Sequence, residues 1–161
     1  MNIFDFAIRK ENQSREIYLE LAGKAPSEGL KNIFTMLADE EQKHLDIVKR
    51  LKTETPKRVT GTDVIGDAKK VFEGMKTAKE QFDFDTSELE TYKKARQIEL
   101  ESKKYYLEKA EDSDDDGIRN ILTKLAKEED KHCRLIDAIV EMVSRPQQWL
   151  ENAEWYHIED Y

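Results

Sequence analysis

The hydrophobic positions of the chain recur at spacings of three and four residues, the pattern of helices that bury one face. The first such stripe ends near Gly23 and comprises Phe4, Ala7, Glu11, Ser14, Tyr18 and Leu21. A short turn follows, in which Ser27 is a candidate N-cap. The second stripe comprises Leu30, Phe34, Leu37, Glu41, His44, Val48 and Leu51. The pattern predicts two long helices joined as an antiparallel hairpin.

This pattern repeats 88 positions further along the chain. The third stripe comprises Tyr92, Ala95, Glu99, Ser102 and Tyr106. The fourth comprises Ile118, Leu122, Leu125, Glu129, His132, Ile136, Ile139 and Val143. The stretch from Leu37 to His44 returns as Leu125 to His132, with the leucine, the alanine, both glutamates and the histidine in register. The repeats predict an internal duplication of one helical hairpin.

The stripes divide the chain into two hairpins and their connection. The hairpins occupy residues 1–52 and 87–144, and residues 53–86 form a long crossover between them. Two antiparallel hairpins joined in this way are one of the topologies of a four-helix bundle. The predicted fold class is therefore all-α, with residues 1–161 forming a single four-helix-bundle domain from two duplicated αα-hairpins, plus a short C-terminal helix.

The crossover and the tail carry weaker patterns. Helical periodicity recurs from Asp63 to Phe82, and Thr86 or Ser87 is the candidate N-cap of the third long helix. The tail, residues 145–161, is rich in aromatic residues. Pro146 stands where proline is favoured, in the first turn of a helix. The tail therefore predicts a short helix that caps the bundle or contacts a second subunit.

The composition of the chain narrows the range of binding partners and of cellular compartments. The formal net charge is −8, which argues against binding to nucleic acid or to an anionic membrane surface. No apolar run approaches the roughly 20 residues of a membrane helix. Met1 to Lys10 shows no secretory signal pattern. Cys133 is the single cysteine, which excludes an intramolecular disulfide. We expect a soluble, cytoplasmic protein.

The stripes carry polar residues at their centres, where a bundle core normally has leucine or isoleucine. These residues are Glu11, Glu41, His44, Glu99, Glu129 and His132. Buried carboxylates are costly alone, and four of them would repel one another. Two divalent cations would balance the four negative charges, and each imidazole would add one nitrogen ligand. One glutamate from each of two helices and a Glu-x-x-His from each of the other two form the ligand set of helical di-iron and di-manganese sites.

Two tyrosines share the stripes with these candidate ligands. Tyr18 follows Glu11 by seven residues, and Tyr106 follows Glu99 by the same interval, so each lies two turns further along the same helix face. Their hydroxyls are candidates for hydrogen bonds that orient ligating carboxylates. Simple core packing of the rings explains the same spacing, and buried Glu–His pairs without metal remain the alternative for the whole set.

The other acidic and nucleophilic residues fall outside the stripes. We expect four glutamates to be solvated: Glu20, Glu40, Glu101 and Glu128. Asp112 to Gly117 imitates the start of an EF-hand loop, but Thr123 stands where that loop needs a bidentate glutamate. The acidic run is better explained as the start of the fourth helix. Cys133 is interpreted as a bystander, and no metal role is assigned to His157.

The set of motifs resembles the rubrerythrin-like branch of the ferritin-like superfamily. The motifs are Glu11 with Tyr18, Glu41-x-x-His44, Glu99 with Tyr106, and Glu129-x-x-His132, over residues 1 to about 144. The resemblance implies a ferritin-like bundle whose di-iron centre reduces hydrogen peroxide or dioxygen, in a homodimer. By position, the ligands of the two iron ions would be Glu11, Glu41, His44, Glu99, Glu129 and His132.

The sequence departs from that family in two respects. A single cysteine cannot form the Cys₄ iron site of an appended rubredoxin domain, so the resemblance implies an external electron donor such as a rubredoxin. Ser102 stands where rubrerythrins tend to carry an extra glutamate that takes part in ligand exchange. The alternatives are a ferritin-like ferroxidase or iron-binding protein and a non-catalytic metal-binding bundle. Manganese, zinc or cobalt would also suit glutamate and histidine ligands.

Overall fold

A computed structural model describes residues 4–53, 59, 61–80 and 86–160. The described chain forms six α-helices and no strand. They are α1 (Asp5–Lys24), α2 (Glu28–Lys52), α3 (Val64–Thr77), α4 (Leu89–Asp112), α5 (Asp116–Ser144) and α6 (Pro146–Glu151). Two 3₁₀ segments, Thr86–Glu88 and Glu154–Asp160, precede α4 and follow α6. The predicted all-α class is confirmed.

The duplication extends to the helix starts. Ser27 Oγ accepts a hydrogen bond from the Leu30 N–H at 3.2 Å, which confirms the predicted cap of α2. Asp115, 88 positions later, caps α5 by accepting from the Ile118 N–H at 3.1 Å. The predicted cap of α4 is wrong, because Glu88 stands at the N-cap position and its side chain makes no capping hydrogen bond, while Thr86 and Ser87 lie earlier, within the 3₁₀ segment.

The apolar core is split into two clusters with the polar residues of the stripes between them. Along α1 and α5 the chain passes from the cluster that contains Phe4 to the cluster that contains Trp149. Along α2 and α4 it passes in the opposite direction. The two helices of each hairpin are therefore antiparallel, as predicted, whereas α2 and α4, which the crossover joins, run in the same direction. The polar residues form a layer across the middle of the bundle, enclosed by apolar side chains above and below.

The four long helices pack mainly within their hairpins, α1 on α2 and α4 on α5, and then through α1 against α4. The α2–α5 side has less direct helix contact, and the crossover helix α3 packs against both helices there. This helix is shorter than the predicted Asp63–Phe82, and Lys79 just beyond it has a positive φ of 51°. Most of the predicted loop over 53–61 lies outside the described residues.

The tail forms the predicted short helix, with Pro146 at its start. Trp149 and Trp155 are fully buried, and the ring of Trp149 meets Phe72 of α3 edge-on at 4.8 Å between centroids. The tail thus caps one end of the bundle. Tyr161 lies outside the described residues. Among the described helices, none combines the length and the apolar character needed to cross a membrane.

Candidate metal centre

The structure brings all six candidate metal ligands of the stripes together in the middle layer. They form two overlapping groups, within each of which one candidate ligand atom per residue lies within 4.8 Å of the others. The first group is Glu11, Glu41, His44 and Glu129, and the second is Glu41, Glu99, Glu129 and His132. Glu41 and Glu129 belong to both groups. The arrangement therefore has two adjacent positions for a cation, with two carboxylates shared between them.

The histidines pair across the two hairpins. His44 Nδ1 lies 2.6 Å from Glu129 Oε1, and His132 Nδ1 lies 2.7 Å from Glu41 Oε1. Each histidine is 3.9 Å from the glutamate three residues earlier in its own helix. The two imidazole rings are nearly parallel, with 5.5 Å between centroids. One nitrogen of each ring is therefore directed at the shared carboxylates.

The tyrosines also reach across the bundle. Tyr18 on α1 donates a hydrogen bond to Glu99 Oε1 of α4 at 2.8 Å, and Tyr106 on α4 donates to Glu11 Oε1 of α1 at 2.5 Å. Burial, reinforced by the nearby carboxylates, raises the pKa of both hydroxyls well above its usual value. The hydroxyls therefore stay protonated at neutral pH and act as donors that orient the two unshared glutamates.

The pKa values of two carboxyls of the layer, Glu41 and Glu99, are shifted in opposite directions. Burial raises the pKa of Glu41, and the neighbouring Glu11 and Glu99 raise it further. Burial also opposes the charge of Glu99, but His132 and the hydrogen bonds that Glu99 accepts outweigh it and lower the pKa of that carboxyl. Burial and like charges thus disfavour the ionised form of Glu41, while its partners favour the ionised form of Glu99.

The carboxylate oxygens that lack hydrogen-bond partners show whether the layer is suited to a metal ion. One oxygen of each of the four carboxylates is buried without a hydrogen-bond partner: Glu11 Oε2, Glu41 Oε2, Glu99 Oε2 and Glu129 Oε2. Buried polar groups without partners are costly and uncommon in native proteins. A set of Glu–His pairs without metal leaves all four oxygens unsatisfied. Two cations would be coordinated by these oxygens and would balance the four charges, so the layer fits a metal centre.

Two of the glutamates predicted to be solvated are buried, and the prediction was wrong for them. Glu40 is 6% exposed and accepts a hydrogen bond from the hydroxyl of Thr62. Glu128 is 5% exposed and pairs with Lys131 Nζ at 3.1 Å. Helix periodicity correctly directs both away from the bundle axis, but Gly61 and Thr62, in the part of the crossover that precedes α3, cover that side. Their own recurrence 88 residues apart was the available signal.

The remaining candidates stay outside the metal centre. Glu20 and Glu101 keep partly exposed side chains, and Glu101 pairs with Lys10. Cys133 is buried, and burial, together with Glu99, raises the pKa of its thiol to about 12, which makes the thiol unreactive. His157 is exposed in the tail. The acidic run before α5 supplies its N-cap, which agrees with the interpretation as a helix start.

A bundle of antiparallel helices with a buried layer of four carboxylates and two imidazoles defines the class of ferritin-like metal proteins. Comparison with protein families leads to the same class, since the Rubrerythrin family model matches residues 2–140. The chain belongs to the rubrerythrin family, as the resemblance predicted. Comparisons with curated proteins and with solved structures give no match.

Proposed function

We propose that the protein is a non-haem di-iron oxidoreductase that reduces hydrogen peroxide, or dioxygen, with electrons from an external donor. The observation that carries the proposal is the sharing of Glu41 and Glu129 by two groups of candidate ligands. A reaction that consumes two electrons at once is served by two redox ions held side by side. Glu11 and His44 would complete the ligands of one ion.

Glu99 and His132 would complete the ligands of the second iron ion. Bound iron would supply two electrons, one from each ferrous ion, and hydrogen peroxide would take up these electrons and two protons to give two molecules of water. The residues of this chain position the centre for that reaction. Tyr18 and Tyr106 hold the unshared carboxylates, and the apolar clusters on both sides of the layer keep bulk water away.

An external donor is part of the proposal because the chain holds one cysteine. A rubredoxin-type iron site needs four thiolates, and Cys133 is a buried thiol of raised pKa. We propose that the electrons come from a separate protein such as a rubredoxin. We further propose a homodimer. Size-exclusion chromatography separates this from the iron-storage alternative, because storage requires a hollow assembly of many subunits.

The test is anaerobic reconstitution with ferrous iron, followed by titration with hydrogen peroxide and, separately, with dioxygen. We expect two iron ions per chain and an end point at one peroxide per two iron ions, read from the visible absorption of oxidised iron. Glu41→Ala should lose the iron and the absorption. Glu20→Ala is the matched control, because this glutamate is exposed on α1. Failure of the wild-type chain to hold iron, or bound iron that does not react, would contradict the proposal.

A further inference from the structure

One hydroxyl in the middle layer has no protein partner. Ser14 is 1% exposed, and its Oγ makes no hydrogen bond. Hydroxyls inside helices commonly donate to the carbonyl four residues earlier. Thr35 and Thr123 do this in the present chain, each at 2.8 Å. Because Ser14 does not, its donor is buried and is left available to a group other than the protein.

The position of Ser14 follows from the crossed tyrosine bonds. Ser14 lies between Glu11 and Tyr18 on the stripe of α1, and Ser102 lies between Glu99 and Tyr106 on that of α4. The bonds from Tyr18 to Glu99 and from Tyr106 to Glu11 fix the register of these antiparallel helices. The midpoints of the two stretches therefore face each other, which places Ser14 opposite Ser102. Both serines flank the metal centre on its α1–α4 side.

A surface groove follows the same side of the bundle. It has a volume of about 480 Å³ and runs between α1 and α4. Its lining includes Gln13 and Ile17, which lie on either side of Ser14 in the sequence, and Ile98 and Glu101, which precede Ser102 by four residues and by one. The serines themselves lie beneath this lining and are buried. Because the lining side chains cover the serines, only a small solute would pass between them from the groove to the middle layer.

The opposite side of the layer is closed by the crossover. Lys131 Nζ donates to the Thr62 carbonyl at 2.9 Å and pairs with Glu128, while the Thr62 hydroxyl bonds Glu40. A Cβ atom on Gly61 would lie 3.1 Å from Glu128 Oε1, so the backbone there is already close to the carboxylate. Access to the metal centre is therefore favoured from the α1–α4 side.

We propose that Ser14, facing Ser102, donates a hydrogen bond to a small oxidant or anion that reaches the metal centre from the α1–α4 groove. The inference rests on the proposed di-iron function and adds the residue that binds the oxidant. The ligand class is hydrogen peroxide and small anions of similar size. Alkyl hydroperoxides are excluded by their bulk, since both serines are buried beneath the groove.

The test uses azide as the probe of the oxidised, iron-loaded protein, titrated by its visible charge-transfer absorption. The Ser14→Ala variant should bind azide about tenfold or more weakly than the wild-type protein, because it lacks one hydrogen bond to a charged ligand. Iron content should stay at the wild-type value. Thr123→Val removes a hydroxyl that is already bonded to its own helix and should leave azide affinity unchanged. Ser102→Ala should give a smaller effect of the same sign.

The melting temperature of the metal-free protein separates a ligand-binding role from a structural one. Ser14→Ala removes no protein hydrogen bond and should melt at or above the wild-type temperature. Two results would overturn the inference: wild-type azide affinity in Ser14→Ala, or no azide binding by the iron-loaded wild-type protein. In either case, peroxide consumption by the wild-type protein would still uphold the proposed function. Absence of iron binding in the wild-type chain would overturn both.

Discussion

Tyr18 on α1 donates its hydrogen bond to Glu99 on α4, at 2.8 Å, although Glu11 lies two turns away on its own helix. Tyr106 makes the reciprocal bond from α4 to Glu11. Each hairpin therefore orients a candidate ligand of the other. The candidate metal centre is complete only when the two hairpins are docked, so we expect metal binding and bundle assembly to be coupled.

Tyr18→Phe should weaken metal binding at the position served by Glu99 and His132. The substitution leaves Glu99 Oε1 without its tyrosine donor, and loss of a group that orients a ligand typically costs about 10–100-fold in metal affinity. The unsatisfied buried oxygen should also lower the free energy of unfolding of the metal-free protein by about 1–3 kcal/mol. Cobalt titration and urea denaturation measure the two effects.

Tyr105→Phe is the matched control for this experiment. Tyr105 neighbours Tyr106 in the sequence, and its hydroxyl is buried without a hydrogen-bond partner. We expect this variant to keep wild-type metal affinity and wild-type or slightly higher stability. Equal metal affinities for Tyr18→Phe, Tyr105→Phe and the wild-type protein would show that the crossed bonds do not orient the ligands.

Glu129→Gln and Glu128→Gln should differ sharply although the two glutamates are adjacent and both buried. Glu129 belongs to both groups of candidate ligands, so its loss should remove both metal ions. Glu128 contacts Lys131 and the crossover instead, so Glu128→Gln should retain two. Metal content measured by mass spectrometry after dialysis distinguishes them. Retention of two metal ions by Glu129→Gln would refute its assignment as a shared ligand.

The helices and the composition of the middle layer were predictable because they depend on local geometry. Residues three or four apart lie on one helix face, so the stripes determined which side chains meet in the core. The repeat at 88 residues then tied Glu41 to Glu129 and His44 to His132. The N-cap at Ser27 followed from the same local chemistry.

The contacts between hairpins were not predictable, because periodicity defines a face but not the partner opposite it. The sequence gives no indication that His44 lies closer to Glu129 than to Glu41. The burial of Glu40 and Glu128 depends on where residues 61 and 62 of the crossover pass over the bundle. The end of α3 at Thr77 was also missed, because weak periodicity does not mark where a helix stops.

Metal removal should lower the thermal stability of the protein. A cation that binds only the folded chain adds about 2.7 kcal/mol when its free concentration is about 100 times Kd. For a chain of this size that corresponds to a shift in Tm of about 5–10 °C per metal ion. Differential scanning calorimetry with and without a chelator measures the shift. Glu129→Gln serves as control and should melt at the same temperature in both conditions.

Glu154→Gln should destabilise the C-terminal cap slightly, in a pH-dependent manner. The fork of Arg145 bonds both oxygens of Glu154, one of them at 2.7 Å, and this pairing lowers the pKa of the carboxyl. A lowered pKa contributes stability above the ordinary glutamate pKa of about 4.3, and this stability is lost as the pH falls through the folded value. The wild-type protein should therefore unfold at a higher urea concentration than Glu154→Gln at pH 7, and the two unfolding midpoints should become equal in acid.

Both tryptophans of the chain lie in this cap, so their fluorescence during urea unfolding reports the effect. Glu151→Gln, which changes an exposed glutamate of α6, should follow the wild-type curve at both pH values; a difference between wild type and Glu154→Gln that persists in acid would contradict the assignment.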